Sequence, residues 1–193
     1  MKYIGNCKEW IKQEWLDRIL STTGDICPIH QPENQIGDHK KQIELYKNFV
    51  TAGWQEKDFV VNMYTQGISK DILDLDITIP PLIPVEGKNY HWWFVKMNPG
   101  QVTHWHFDPH TVKHTTAVRY WMAIQDYEPG HVFIWENGGF LDDYKAGDIY
   151  SFDFADLYHS VLNLSMIPKV SFQMTVHEFG DEVIKPKFYN LNS

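Results

Sequence analysis

The sequence predicts a mainly β fold, a sandwich or barrel with helices laid against its outer face. From Tyr90 onward, runs that read as strands recur at near-regular spacing: 90–97, 102–108, 115–125, 131–135, 148–154, 159–164 and 169–178. Turn signals separate most of them: Asn98-Pro99-Gly100, Glu128-Pro129-Gly130, Asn137-Gly138-Gly139 and Lys145-Ala146-Gly147-Asp148. The segment ahead of them carries one-sided helical patterns instead.

At 193 residues the chain is long enough for one domain with a proper core and short for two. Hydrophobic residues make up 43% and aromatics 15%, so a packed core is expected and disorder is not. A formal net charge of −8, with no long basic run, argues against nucleic acid and anionic membrane as partners. Two cysteines, Cys7 and Cys27, make neither a disulfide framework nor a zinc site, which points to a reducing compartment. No segment is apolar for long enough to span a bilayer and the N-terminus has no apolar leader core, so a cytoplasmic protein is expected. Oligomeric state is left open.

In the front part Asn6, with Glu9 three residues on, reads as a capping box for a first helix. Trp10, Ile11, Trp15, Leu16, Ile19 and Leu20 fall on one stripe of it, and Thr22-Thr23-Gly24 ends it. Residues 24–37 are loop-like. Asp38 is placed to cap a second helix to about Ala52, with Gly53 beyond its end and Ile43, Tyr46, Phe49 and Val50 on one side. A strand-like run follows at 59–63, and the proline-rich stretch 79–87 breaks regular structure. There is no internal repeat or convincing boundary. Residues 1–193 read as a single domain, a helical N-terminal part over 1–89 followed by a β core over 90–180.

Within the core, the stretch from Asn98 to His110 is the most informative. If 102–108 is a strand, Val102, His104, His106 and Asp108 share one face, and Thr103, Trp105 and Phe107 the other. A lone His-x-Asp in a chain with 10 histidines is more often a surface pair than a ligand pair. Its company raises it: a turn before, a strand beneath, and His159 at the start of a later strand as a third partner. Two imidazoles and one carboxylate on one side of a metal leave the opposite positions open, which suits non-haem Fe(II) and O₂. In residues 169–177, alternation puts Lys169, Ser171, Gln173 and Thr175 on one face and Val170, Phe172, Met174 and Val176 on the other. With the apolar set packed against the helices, the polar set turns inward. A lysine and a serine there invite an anion, because an unpaired buried ammonium is costly. The alternative is a strand with a solvated polar face.

These residues resemble the Fe(II)/2-oxoglutarate-dependent dioxygenases, a family built on the double-stranded β-helix, or jelly roll. As in its prolyl-hydroxylase-like members, Asn98-Pro99-Gly100-Gln101 precedes His106 and Asp108 by a short interval. His159 matches the distal ligand, Lys169 the basic residue that takes the 2-oxoglutarate C5 carboxylate, and Ser171 the hydroxyl of the basic-x-Ser motif. A second likeness, to aspartyl/asparaginyl β-hydroxylases, lies in Arg119–Trp121 and in Phe152-Asp153-Phe154 ahead of the distal histidine. The resemblance covers residues 90–178 and implies a double-stranded β-helix core over 90–180, with the N-terminal helices packed on its outer face. It implies a hydroxylase in which His106, Asp108 and His159 hold Fe(II). The co-substrate 2-oxoglutarate binds there with its far carboxylate on Lys169 and Ser171, and O₂ is the second co-substrate. Met97 stands where the prolyl-hydroxylase-like members have a tyrosine that reaches 2-oxoglutarate, so Tyr90, Trp92 or Arg119 is called on to supply that contact. Asp108 is present where the aspartyl-hydroxylase branch commonly lacks a carboxylate ligand, so no substrate is carried over from that branch. The expected substrate is a small molecule or a peptide: peptidyl proline, peptidyl Asp or Asn, and a free amino acid all fit.

Two other classes are compatible with the sequence. In a cupin-type metalloenzyme, His104 and His106 form a His-x-His pair and His159 to Asn163 a His-x₃-Asn, with His110 where the first motif's carboxylate belongs. In a metal-free jelly-roll binding protein, the many aromatics form the contact surface. In the dioxygenase reading His104 stands behind the metal, and His110 and His114 sit on a loop at the mouth.

Overall fold

The structure, a computed structural model, describes residues 1–22, 25–26, 66–68, 73–106, 118–153 and 159–177. Strands in chain order are β1 (Lys2–Asn6), β2 (Asp25–Ile26), β3 (Gln66–Ile68), β4 (Asn89–Met97), β5 (Val102–His106), β6 (Val118–Ala123), β7 (His131–Trp135), β8 (Gly139–Leu141), β9 (Asp148–Asp153), β10 (His159–Asn163) and β11 (Lys169–His177). Helix α1 spans Gln13–Ser21.

The strands make two sheets, one in the order β1-β9-β6-β11-β4-β3-β2 and one in the order β5-β10-β7-β8. From β4 onward the chain passes repeatedly between them: β4, β6, β9 and β11 belong to the first, and β5, β7, β8 and β10 to the second. Two interleaved four-stranded sheets of this order are a double-stranded β-helix, and β1, β2 and β3 extend its larger sheet. The fold is therefore mainly β and a jelly roll, as expected.

Alternation along β11 decides where the two cores lie. Val170, Phe172, Met174 and Val176 face outward into a cluster with Phe94, Tyr120, Met122, Trp15 and Ile19. Trp93, Val95, Met97, Trp121, Ala123 and Phe152 face inward and meet Phe133, Tyr144 and Val161 between the sheets. Helix α1 covers the outer cluster. Trp15 and Ile19 are buried in it, and the Trp10 ring meets Trp15 and Phe172 edge-on at 4.8 and 5.3 Å. Burying each large apolar side chain there is worth roughly 1.5–3 kcal/mol, and that packing holds a helix with no side-chain cap at its start. Its other end is held by Lys96, whose ammonium donates to the carbonyls of Ile19, Leu20 and Thr22.

The four predicted turns form. In the first, the Gln101 N–H donates to the Asn98 carbonyl at 3.1 Å with Gly100 at φ +83°, a conformation open to glycine. The first helix starts later than the capping box suggests. Asn6 belongs to β1 and pairs with Asp148, while the Cys7 N–H donates to the Gly147 carbonyl at 2.9 Å. With those backbone groups committed to the sheet, Asn6 Oδ1 only accepts from the Lys8 N–H, at 2.9 Å, at the entry to a 3-10 turn, Lys8–Trp10, whose N-cap is Cys7. Residues 79–87 form no regular element, as the prolines require. The predicted helix at 38–52 and strand at 59–63 lie outside the described residues. No helix among the described residues is long and apolar enough to cross a membrane.

Candidate functional site

The inner face of the larger sheet is a ladder that β11 organises. Lys169 stands opposite Met97; Ser171 between Val95 and Ala123; Gln173 between Trp93 and Trp121; Thr175 between His91 and Arg119; His177 opposite Asn89. Polar side chains thus occupy both ends of the ladder, with tryptophans between. Lys169 is at the end closed by the turns 98–101, 128–131 and 164–168, here the turn end. The six residue steps from Lys169 to Thr175 span roughly 20 Å of strand.

Lys169 is 2% exposed. Its Nζ donates to the Val132 carbonyl at 3.1 Å and lies 5.9 Å from the Trp121 ring centroid and 6.0 Å from that of Tyr144. No carboxylate pairs with it among the described residues, and burial pushes its pKa down to about 7. Tyr144 arrives from the segment between β8 and β9, and burial, with Tyr127 beside it, pushes its phenol up and keeps it neutral. Ser171 is buried next along the same face.

At the far end, β5 and β10 pair so that His106 lies directly opposite His159. His159 is buried; its ring stacks on Phe133 at 5.2 Å and meets Phe152 edge-on at 6.0 Å. The row continues across the smaller sheet to Trp135 and Gly139, where a Cβ would fall 1.7 Å from the Trp135 ring. Strict alternation along β5 does not hold. Thr103 pairs with Val161 and His106 with His159, three residues against two, so His104 and Trp105 share the place opposite Ser160. The strand therefore carries a bulge between Thr103 and His106. Asp108 lies two residues beyond β5, outside the described residues, as do His110 and His114. No three His, Cys, Asp or Glu side chains converge among the described residues. Of the three expected ligands, the structure makes His106 and His159 direct cross-strand partners by register; Asp108 lies outside the described residues.

Arg119 is buried at the far end, away from Lys169. Its Nη1–H donates to Gln173 Oε1 at 3.2 Å and its Cζ lies 5.0 Å from the Trp93 ring centroid. Its cross-strand partner on β9 is Phe152, the residue against His159. Tyr90 and Trp92 alternate with the inward residues of β4, and Trp92 packs on the outer cluster. The sequence reading did not single out His91, Tyr144 or His177. Continuing the two-residue period from Lys169 reaches His177, and the same period backward from Met97 reaches His91. Nothing in the sequence marks Tyr144, which is brought in by a loop.

No family model matches the chain, and no curated protein matches it. Among solved structures, a cupin domain from Bordetella pertussis Tohama I is 16% identical at a TM-score of 0.35, over 45% of this chain and 80% of that one. A putative sugar phosphate isomerase from Acidithiobacillus ferrooxidans is 14% identical at a TM-score of 0.38, over 59% of this chain and 60% of that one. A prolyl-4-hydroxylase from Pseudomonas putida is 18% identical at a TM-score of 0.40, over 47% of this chain and 52% of that one. The chain thus spans less than two thirds of the isomerase and of the hydroxylase. The double-stranded β-helix stands on the strand order itself, and likenesses at this level carry no argument about a reaction.

Proposed function

We propose that this protein is an Fe(II)- and 2-oxoglutarate-dependent hydroxylase acting on a peptidyl or free amino-acid substrate. The observation that carries the reading is the Lys169 ammonium, enclosed by Trp121 and Tyr144 with a backbone carbonyl as its acceptor and no ion-pair partner among the described residues. A buried cation so placed is balanced by an anion from outside the chain. The same interior leads from it to His159 and to the register position of His106. In this reading His106, Asp108 and His159 hold Fe(II), which with O₂ supplies the oxidising chemistry when bound. Lys169 binds the C5 carboxylate of 2-oxoglutarate, with Ser171 as a neutral donor beside it. The surrounding aromatic rings exclude water, which strengthens that ion pair.

Binding of 2-oxoglutarate to metal-loaded protein under anaerobic conditions tests the reading. Losing a buried charged partner costs about 3–5 kcal/mol and losing a neutral hydrogen bond about 0.5–1.5 kcal/mol. Lys169→Ala is therefore expected to weaken 2-oxoglutarate far more than Ser171→Ala does. Small and equal effects would remove Lys169 as the anchor and leave Arg119 as the inner-face cation to examine.

A further inference from the structure

The turn end of the interior holds a second polar group close to Lys169. Alternation along β7 puts His131 on the same face as Phe133, which lies in the core between the sheets. His131 is 1% exposed, and the carbonyl of the next residue, Val132, is the acceptor of the Lys169 ammonium. The two nitrogens of the His131 ring differ sharply. Nε2 lies 2.9 Å from Ser165 Oγ and 3.3 Å from the Ile167 carbonyl oxygen. Nδ1 is buried and has no hydrogen-bond partner. A polar atom left bare in such a place is costly and uncommon.

The protons of the neighbouring turn decide what Nδ1 can take. The Ile167 carbonyl only accepts, so it favours the neutral ring with its proton on Nε2 and Nδ1 bare. The Ser165 hydroxyl has one proton and three acceptors within reach: Asn163 Oδ1 at 2.8 Å, the Ile167 carbonyl at 2.9 Å and His131 Nε2 at 2.9 Å. Turned onto Nε2, it lets the ring carry its proton on Nδ1 instead. No acceptor is stranded by the change. Asn163 Oδ1 keeps the Ser165 N–H at 3.0 Å, and the Ile167 carbonyl keeps the Asn163 amide at 2.9 Å. Nδ1 can thus become a donor without charging the ring. Charging is opposed by burial and by Lys169, which outweigh the Ile167 carbonyl and the exposed Glu128 and hold the pKa below its usual range. One ammonium and one neutral N–H donor match a ligand group with a single negative charge shared by two oxygens, a carboxylate.

We propose that His131 is a neutral donor to the far carboxylate of 2-oxoglutarate, its ring losing the proton at Nε2 and gaining one at Nδ1 as the ligand binds. Lys169 supplies the charge and His131 a fixed direction. The identity of the ligand rests on the hydroxylase reading.

The test uses the full chain. Affinity for 2-oxoglutarate is measured on Fe(II)-loaded protein under anaerobic conditions, with Lys169→Ala as the reference. A glutamine places its amide where Nε2 stands, and an asparagine where Nδ1 stands. His131→Gln should therefore keep the contact to Ser165 and a wild-type Tm, yet weaken 2-oxoglutarate by about ten-fold or more, the size of a hydrogen bond to a charged group. His131→Asn should lower Tm and retain most of the affinity. A histidine that only braces the turn gives the opposite pattern, a lower Tm in His131→Asn with affinity unchanged in both. In ¹⁵N-histidine NMR of the Zn²⁺-loaded wild type, the ring that is missing from either variant should pass from Nε2–H to Nδ1–H on addition of 2-oxoglutarate. If His131→Gln fails to fold, that ring decides. Failure of the wild type to bind 2-oxoglutarate overturns this proposal together with the hydroxylase reading. Binding lost in Lys169→Ala but unchanged in His131→Gln, or a His131 ring that keeps Nε2–H throughout, overturns this proposal alone.

Discussion

Asn163 shows how one side chain can imitate a motif. Spaced four from His159, it completes a His-x₃-Asn, yet its amide is committed at the turn end. It donates to the Met97 and Ile167 carbonyls at 2.8 and 2.9 Å and accepts from the Ser165 N–H and hydroxyl at 3.0 and 2.8 Å. Ser165 Oγ lies in turn 2.9 Å from His131 Nε2. Asn163→Leu should therefore lower stability by about 2–4 kcal/mol by stranding buried polar groups, read in denaturant unfolding, with bound metal per folded chain unchanged. Loss of metal at unchanged stability would restore the cupin reading. The β5 bulge sets a companion test. Asp108→Ala is expected to remove metal and 2-oxoglutarate decarboxylation, whereas His104→Ala keeps a metal site with at most a ten- to hundred-fold loss, the usual scale for a group behind a ligand. Metal content and succinate formation in both variants decide it; retention in Asp108→Ala with loss in His104→Ala reverses the assignment. At this scale the sequence revealed Lys169 and Ser171 as inward residues, because a two-residue period is visible in 169–177. It could not reveal the bulge, which depends on how β10 pairs rather than on β5 itself.

The strands legible in the sequence are those with one apolar face or a turn at each end. β4, β7, β10 and β11 begin and end within a residue or so of expectation, because an Asn-Pro-Gly or Glu-Pro-Gly turn marks a boundary. β1 was missed for a physical reason: it is an edge strand, mostly exposed, with no apolar alternation to show. β8 is three residues long and, among the described residues, pairs with β7 alone. The end of α1 was legible from Thr22-Thr23-Gly24, but what holds it was not, since Lys96 is 74 residues from Thr22. Burial lowers the Lys96 pKa, and the three carbonyls of the helix end are its acceptors. Lys96→Met keeps the stem and removes those donors. It should destabilise the protein by about 1–2 kcal/mol, the upper range for a cation at a helix C-terminus. Amide hydrogen exchange should rise in Ile19–Thr22 before it rises in β4; unchanged protection there would deny the capping role.

For the whole molecule, the decisive feature is a lysine placed in the apolar layer that joins the sheets. Its pKa of about 7 in the folded chain, against an ordinary 10.5, comes from burial. The titratable groups nearest it do not offset this, since burial keeps Tyr144 protonated and neutral and holds His131 below its usual range, with Lys169 itself adding to the latter. Between pH 7 and 10.5 the unfolded chain binds a proton at this site that the folded chain has released, so this group's contribution makes stability rise with pH across that window. Below pH 7 both states are protonated and the contribution is flat. Lys169→Met should remove this slope and raise stability near neutral pH, because a well-packed apolar residue replaces a costly buried charge. The same linkage reaches ligand binding. A bound C5 carboxylate stabilises the ammonium and raises its pKa, so binding above pH 7 must take up a proton and should weaken as pH climbs. Calorimetry of 2-oxoglutarate binding in two buffers of different ionisation enthalpy counts those protons directly. Uptake should be near zero below pH 7 and approach one proton above it. No uptake at pH 8 to 9, with 2-oxoglutarate still bound, would place its far carboxylate somewhere other than on Lys169.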